Sequence, residues 1–238
     1  GGSMIATELS DVLFGTPDPL QSAANLGVLK QDYVNLIVHG HEPTLSDIIA
    51  VLSQNEEMIK KAKAKGAKGI VLGGICCTAN EILMRHGIPL AGSFLQQELA
   101  VVTGVVDAMV VDVQCILPGV SNVAKHYHTK LITTSPKAKM PGFDHIEFEE
   151  ERAVEIAKEI IETAINNFPN RNKEGVNVPN YQEGQVAGFS TESVFNFLGG
   201  KYRSTYRPLN DAVIAGGLQV LSAVRTRIRN TKRTTSRW

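Results

Sequence analysis

Gly73-Gly74-Ile75-Cys76-Cys77-Thr78-Ala79-Asn80 is the stretch on which the fold class turns. The residues before it, Lys68-Gly69-Ile70-Val71-Leu72, form a short apolar run that predicts a buried strand. Those after it, Glu81-Ile82-Leu83-Met84-Arg85, predict a helix, so two cysteines fall where a strand gives way to a helix. At such a junction, unpaired N–H groups and the helix dipole are expected to favour a thiolate. The same placement recurs twice. His39-Gly40-His41-Glu42-Pro43 follows the run Tyr33-Val34-Asn35-Leu36-Ile37-Val38. Cys115 follows Ala108-Met109-Val110-Val111-Asp112-Val113-Gln114. Three strand ends thus each deliver a soft or borderline metal ligand, and in an open parallel sheet such ends line one crevice.

Working outward, the alternation continues. Thr44 is the expected N-cap of a helix running to about Lys65, with Leu45, Ile48, Ile49, Leu52, Ile59 and Ala62 on one face. Short strands are expected over residues 88–92, 107–114, 130–134 and 145–148. Helices are expected over 95–103, 117–127 and 150–168. The last of these is strongly amphipathic, with Ala153, Val154, Ala157, Ile160, Ile161, Ala164, Ile165 and Phe168 on one side. Strands alternating with helices of this length mean βαβ units, and hence an α/β, Rossmann-like, doubly wound parallel sheet.

Composition divides the chain further. Residues 1–32, with Gly15, Pro17, Pro19 and Gly27, read as a partly helical lead-in on the edge of the domain. Residues 33–170 form the Rossmann-like domain. Residues 171–184 are polar and turn-rich, a predicted linker. Residues 185–220 read as the first elements of a second α/β domain. Residues 221–238 carry six Lys/Arg and no acidic residue, and are predicted to be disordered.

The whole chain of 238 residues has 24 basic and 24 acidic side chains and a formal charge of zero, which argues against nucleic acid as a partner. Without the basic tail it would carry 18 against 24. Apolar residues make up 43% of the chain, enough for a real core, yet no run reaches the roughly 18 residues of a membrane span. Three cysteines, two of them adjacent, do not make a disulfide framework, so a reducing cytoplasm is the expected location.

On spacing alone the metal signal is weak: there is no CxxC, no HExxH and no ferredoxin-type cysteine run. Cys115 alone reads as a small buried hydrophobe. If the strand continued, Cys76 and Cys77 would point to opposite faces, and Cys77, nearer the helix, is the better crevice candidate. His39 and His41 would share a face, and one of them could be merely structural. His86 reads as a helix end-cap, and His126, His128 and His145 carry little signal for chemistry.

Longer phrases say more. Val38-His39-Gly40-His41-Glu42-Pro43, Gly74-Ile75-Cys76-Cys77-Thr78, Met84-Arg85-His86-Gly87-Ile88-Pro89 and Val111-Asp112-Val113-Gln114-Cys115-Ile116 closely resemble the anaerobic nickel–iron–sulfur carbon monoxide dehydrogenases. Gln96-Gln97-Glu98-Leu99-Ala100 and His128-Thr129-Lys130-Leu131-Ile132-Thr133-Thr134 fit as well, and the likeness runs from Gly1 to about Leu218. The resemblance implies the middle domain of such an enzyme plus the first elements of the last. It implies a nickel joined to an open iron–sulfur cubane, with one iron outside. His41, the second histidine of its motif, and Cys77 would hold the outer iron, and Cys115 an iron of the cubane. His41 would thereby belong to the catalytic centre.

Carbon monoxide and water would be the substrates, and a ferredoxin-like protein the electron acceptor. Electron-relay 4Fe-4S clusters would lie outside this chain, and the full-length family implies a homodimer. Three further cysteine ligands would also lie outside. Two other readings stand beside this one: an inactive truncated remnant without the cluster, and a related hybrid-cluster reductase. A thiol-redox role for Cys76 and Cys77 is disfavoured, because adjacent cysteines form a strained bridge.

Overall fold

The computed structural model describes residues 2–190. Its elements in chain order are α1 (Gly2–Phe14), β1 (Leu20–Ala24), β2 (Val34–Gly40), α2 (Thr44–Ser53), α3 (Glu56–Ala64), β3 (Ile70–Ile75), α4 (Cys76–His86) and β4 (Leu90–Gly92). There follow α5 (Gln97–Val102), β5 (Val106–Val111), α6 (Gly119–Ala124), β6 (Lys130–Thr133), β7 (Asp144–His145), α7 (Ala153–Asn167) and β8 (Glu183–Ala187). One eight-stranded sheet runs β7-β6-β5-β2-β3-β4-β1-β8. All pairings are parallel except that of β8 with β1. The expected α/β parallel sheet is present.

Strand order sets the position of the site. From β2 the chain moves outward through β3 to β4, then returns to place β5 on the other side of β2. The order therefore reverses between β2 and β5, and a crevice opens outside the carboxyl ends of strands at such a switch point. Both strands are fully buried, as a central parallel strand covered on two faces must be. Alternate side chains feed two cores. Val34, Leu36 and Val38 of β2 join Leu45 and Ile49 of α2 and Ile156, Ile160 and Ile161 of α7. Ile37 joins Ala100 and Val101 of α5 and Val120 of α6 on the other face.

Several expectations are corrected. The single helix over 44–65 is two, because Asn55 stops α2 and caps α3, its side chain accepting from the Glu57 N–H at 2.8 Å. Thr44 is the first helical residue rather than the N-cap, and Pro43 takes the cap position without a side-chain bond. Val154, placed on the inner face of α7, is 52% exposed. The lead-in supplies a strand as well as a helix: β1 pairs with β4.

The expected linker packs on the domain. The Arg171 side chain is buried, and Val176 and Val178 lie against the second core. The strand expected from residue 185 forms at Glu183–Ala187, and its partner is β1 of the same sheet. The remaining elements placed in 191–220, and the predicted disorder of 221–238, lie outside the described residues.

Candidate metal centre

His41, Cys76, Cys77 and Cys115 all lie at the carboxyl edge of the sheet: His41 just after β2, the two cysteines at the start of α4 after β3, and Cys115 after β5. His41 and Cys115 stand on the two sides of the switch point and are in contact, with Nε2 3.7 Å from Sγ. A backbone bridge between Gly40 and Cys76 brings the third strand end alongside. Cys76 does not continue the strand, as the alternation argument required. It opens α4 with φ of 66°, is half-buried, and neighbours the Cys115 thiol. Cys77 is exposed and within the electrostatic reach of Cys115.

The histidine pair also separates. His39 is fully buried within β2, and its Nε2 lies 3.4 Å from Gln97 Oε1 of α5. His41 lies past the end of that strand and faces the thiols. Its Nδ1 is buried without a hydrogen-bond partner, as is Nδ1 of His39. Elsewhere, His86 bonds Asp47 at 2.5 Å, His128 bonds Asp107 at 2.9 Å and His145 bonds Thr133 at 2.9 Å, all away from the thiol cluster.

The expected thiolate is reversed. Burial, followed by the neighbouring Cys115, pushes the Cys76 thiol up to about 12. The same causes, in the same order, raise Cys77. A helix terminus contributes only a fraction of a charge; desolvation and crowding by like groups outweigh it. Burial also lowers the pKa of His39, keeping it neutral. Cys76 and Cys77 are therefore held as thiols, and a metal bound at either must displace a proton.

Two side chains that sequence reasoning passed over shape the site. The buried Asp112 carboxylate accepts from the backbone N–H of His41 at 2.6 Å and of Glu42 at 3.1 Å, from the Thr78 hydroxyl at 2.6 Å, and from its neighbour Val113. Burial pushes this carboxyl up to about 6 against the pull of those bonds. Gln97, fully buried, donates to the Cys115 carbonyl at 3.1 Å and accepts from the Leu117 N–H at 2.9 Å, so α5 braces the Cys115 loop. An acidic residue closing an apolar strand run was a visible signal for Asp112. Nothing local distinguishes Gln97 from any helical glutamine.

Strain is concentrated here. Of the four non-glycine residues with positive φ among those described, three are Cys76, Gln114 and Cys115. Backbones in that region cost about 1–3 kcal/mol each and collect at functional sites. Among the described residues, no three His, Cys, Asp or Glu side chains converge closely enough to hold a metal ion. The arrangement is an open edge with one imidazole and three thiols, a donor set that suits iron, nickel or an iron–sulfur cluster better than a hard cation.

A likeness to known proteins gives this edge its context. The chain belongs to the Prismane/CO dehydrogenase family, whose profile matches residues 1–220. It is 56% identical over 224 residues to carbon monoxide dehydrogenase 1 of Methanosarcina mazei, covering 94% of this chain and 35% of that protein. It is 51% identical over 221 residues to carbon monoxide dehydrogenase 1 of Carboxydothermus hydrogenoformans, covering 92% and 34%. The Ni-free crystal structure of the carbon monoxide dehydrogenase from Thermococcus sp. AM4 superposes with a TM-score of 0.84 at 56% identity, over 87% of this chain and 33% of that one. The chain thus spans about a third of the length of these relatives. No helix among the described residues is long and apolar enough to cross a membrane.

Proposed function

We propose that this chain supplies His41, Cys77 and Cys115 to the nickel–iron–sulfur centre of a carbon monoxide dehydrogenase, which oxidises carbon monoxide with water to carbon dioxide. The observation that carries the reading is the His41–Cys115 contact at the switch point, flanked by the cysteines of α4. His41 and Cys77 would hold the outer iron, and Cys115 an iron of the cubane. When bound, such a centre supplies Lewis-acid polarisation of substrate and a sink for the two electrons released. A ferredoxin-like acceptor, 4Fe-4S relays held outside this chain and a homodimeric enzyme complete the proposal.

The chain's own residues do the holding. Positive φ at Cys76 and Cys115 turns the chain at the sheet edge, where the two thiols are neighbours. His41 turns Nε2 toward the Cys115 thiol at 3.7 Å, while its buried Nδ1 has no hydrogen-bond partner, so Nε2 is the ring nitrogen offered to a metal. Raised thiol pKa values keep the protons in place until a cation displaces them. Anaerobic loading with iron, sulfide and nickel, followed by desalting and metal analysis, tests the reading. Retained iron and nickel are expected in the parent, with marked loss in His41→Ala, Cys77→Ser and Cys115→Ser. Equal retention in all four proteins would overturn it.

A further inference from the structure

Asp112 follows the last residue of β5, and its side chain reaches across to two other strand ends. Oδ1 accepts from the backbone of His41 at 2.6 Å and of Glu42 at 3.1 Å, and also from Val113. Oδ2 accepts from the Thr78 hydroxyl at 2.6 Å. The donors thus belong to three separate segments: the loop after β2, the first turn of α4 and the loop after β5. Each segment carries one candidate ligand, namely His41, Cys77 and Cys115.

Burying a carboxylate with no cation among its hydrogen-bond partners is a costly way to join three loops. An apolar contact would hold them together, but would not set their spacing. The backbone shows why spacing needs a directional tie. Gly40, Cys76, Gln114 and Cys115 all have positive φ, and all lie within or beside the segments that Asp112 joins. Such conformations persist only where the surroundings over-determine them. Four hydrogen bonds converging on one rigid carboxylate supply that restraint.

We propose that Asp112 is the positioning residue that sets the relative placement of the His41, Cys77 and Cys115 loops; its role toward a metal rests on the metal-centre reading above. The carboxylate does not bind the metal. It acts through the backbone and side chains that it holds.

The test uses the full chain with Asp112→Ala and Asp112→Asn. In Asp112→Ala, the His41 and Glu42 amides are expected to exchange with deuterium at least about tenfold faster, since each loses its acceptor. The amides of Leu36 and Ile37 in β2 should keep their rates. Affinity for Co²⁺, read from its thiolate charge-transfer absorption under anaerobic conditions, should fall about 10–100-fold. Asp112→Asn keeps one acceptor oxygen and should recover part of both effects. Unchanged exchange at His41 and Glu42 would overturn the proposal. So would uniform acceleration across the sheet, which would mark a general structural role. A parent chain that fails to bind Co²⁺ would count against the metal-centre reading, while the exchange pattern would still decide what Asp112 does.

Discussion

The Asp112 carboxylate fills the space that a side chain on Gly40 would need: an added Cβ would overlap Oδ1 and crowd the rest of the carboxyl group. Gly40 also has φ of 130°, a conformation that side chains rarely adopt. Gly40 ends β2 and Asp112 directly follows the neighbouring parallel strand β5, and their fit lets the chain turn from β2 into His41 beneath an acceptor. Gly40→Ala is therefore expected to destabilise the chain by about 2 kcal/mol or more, from backbone strain and displacement of the carboxylate. Urea unfolding measures this. An unchanged midpoint would show that the carboxylate vacates the space freely.

At the opposite edge of the sheet, Asp107 and Arg171 form a buried ion pair at 2.6 Å. Asp107 also accepts from the Asn35 N–H at 2.7 Å and pairs with His128 at 2.9 Å, while Arg171 donates to the carbonyls of Tyr33 and Val105. Removing Arg171 leaves the Asp107 carboxylate buried without its guanidinium partner, held only by the Asn35 N–H and His128. Arg171→Met is expected to cost about 3–5 kcal/mol, and the double variant with Asp107→Asn less than the two single changes summed. A double-variant cycle by denaturant unfolding gives the answer. Strict additivity would mean that the pair is not coupled.

Helix α7 offers a contrast between two positions that the amphipathic pattern treats alike. Ile160 is fully buried in the first core, whereas Val154 is 52% exposed. Ile160→Ala should cost about 2–5 kcal/mol through lost burial and the cavity left behind. Val154→Lys should stay within about 0.5 kcal/mol of the parent. Comparable losses at both positions would mean that α7 packs with a different face inward.

Metal is expected to be dispensable for folding. Strands β2 and β5 are buried on both faces by side chains, and the thiols lie at the sheet's end, with only Cys76 packed against the margin of the second core. Chelator treatment should leave the far-ultraviolet circular dichroism of the chain intact. On the proposed ligand set, three protein ligands would hold only one corner of a cluster, so the loaded chain is expected to bind metal without sustained carbon-monoxide-dependent dye reduction. A featureless spectrum after chelation would count against the first statement, and steady turnover by this chain alone against the second.

The sequence by itself determined the class of fold and the family. Apolar runs such as 33–38 and 107–114, alternating with helical periodicity, are enough for a parallel sheet, because burial on both faces leaves a continuous hydrophobic strand. The HGHEP, GICCT and VDVQC phrases placed ligand types at strand ends. Local pattern could not say which strand lies beside which, and only the tertiary structure set β2 against β5, making His41 and Cys115 neighbours although 74 positions separate them. Nor could it show that Cys76 turns into the helix with positive φ and meets Cys115, or that β8 returns to pair with β1. The protonation of the thiols was misjudged for the same physical reason. Proximity to a helix start is readable along the chain, whereas desolvation and the company of a second thiol come from residues distant in sequence.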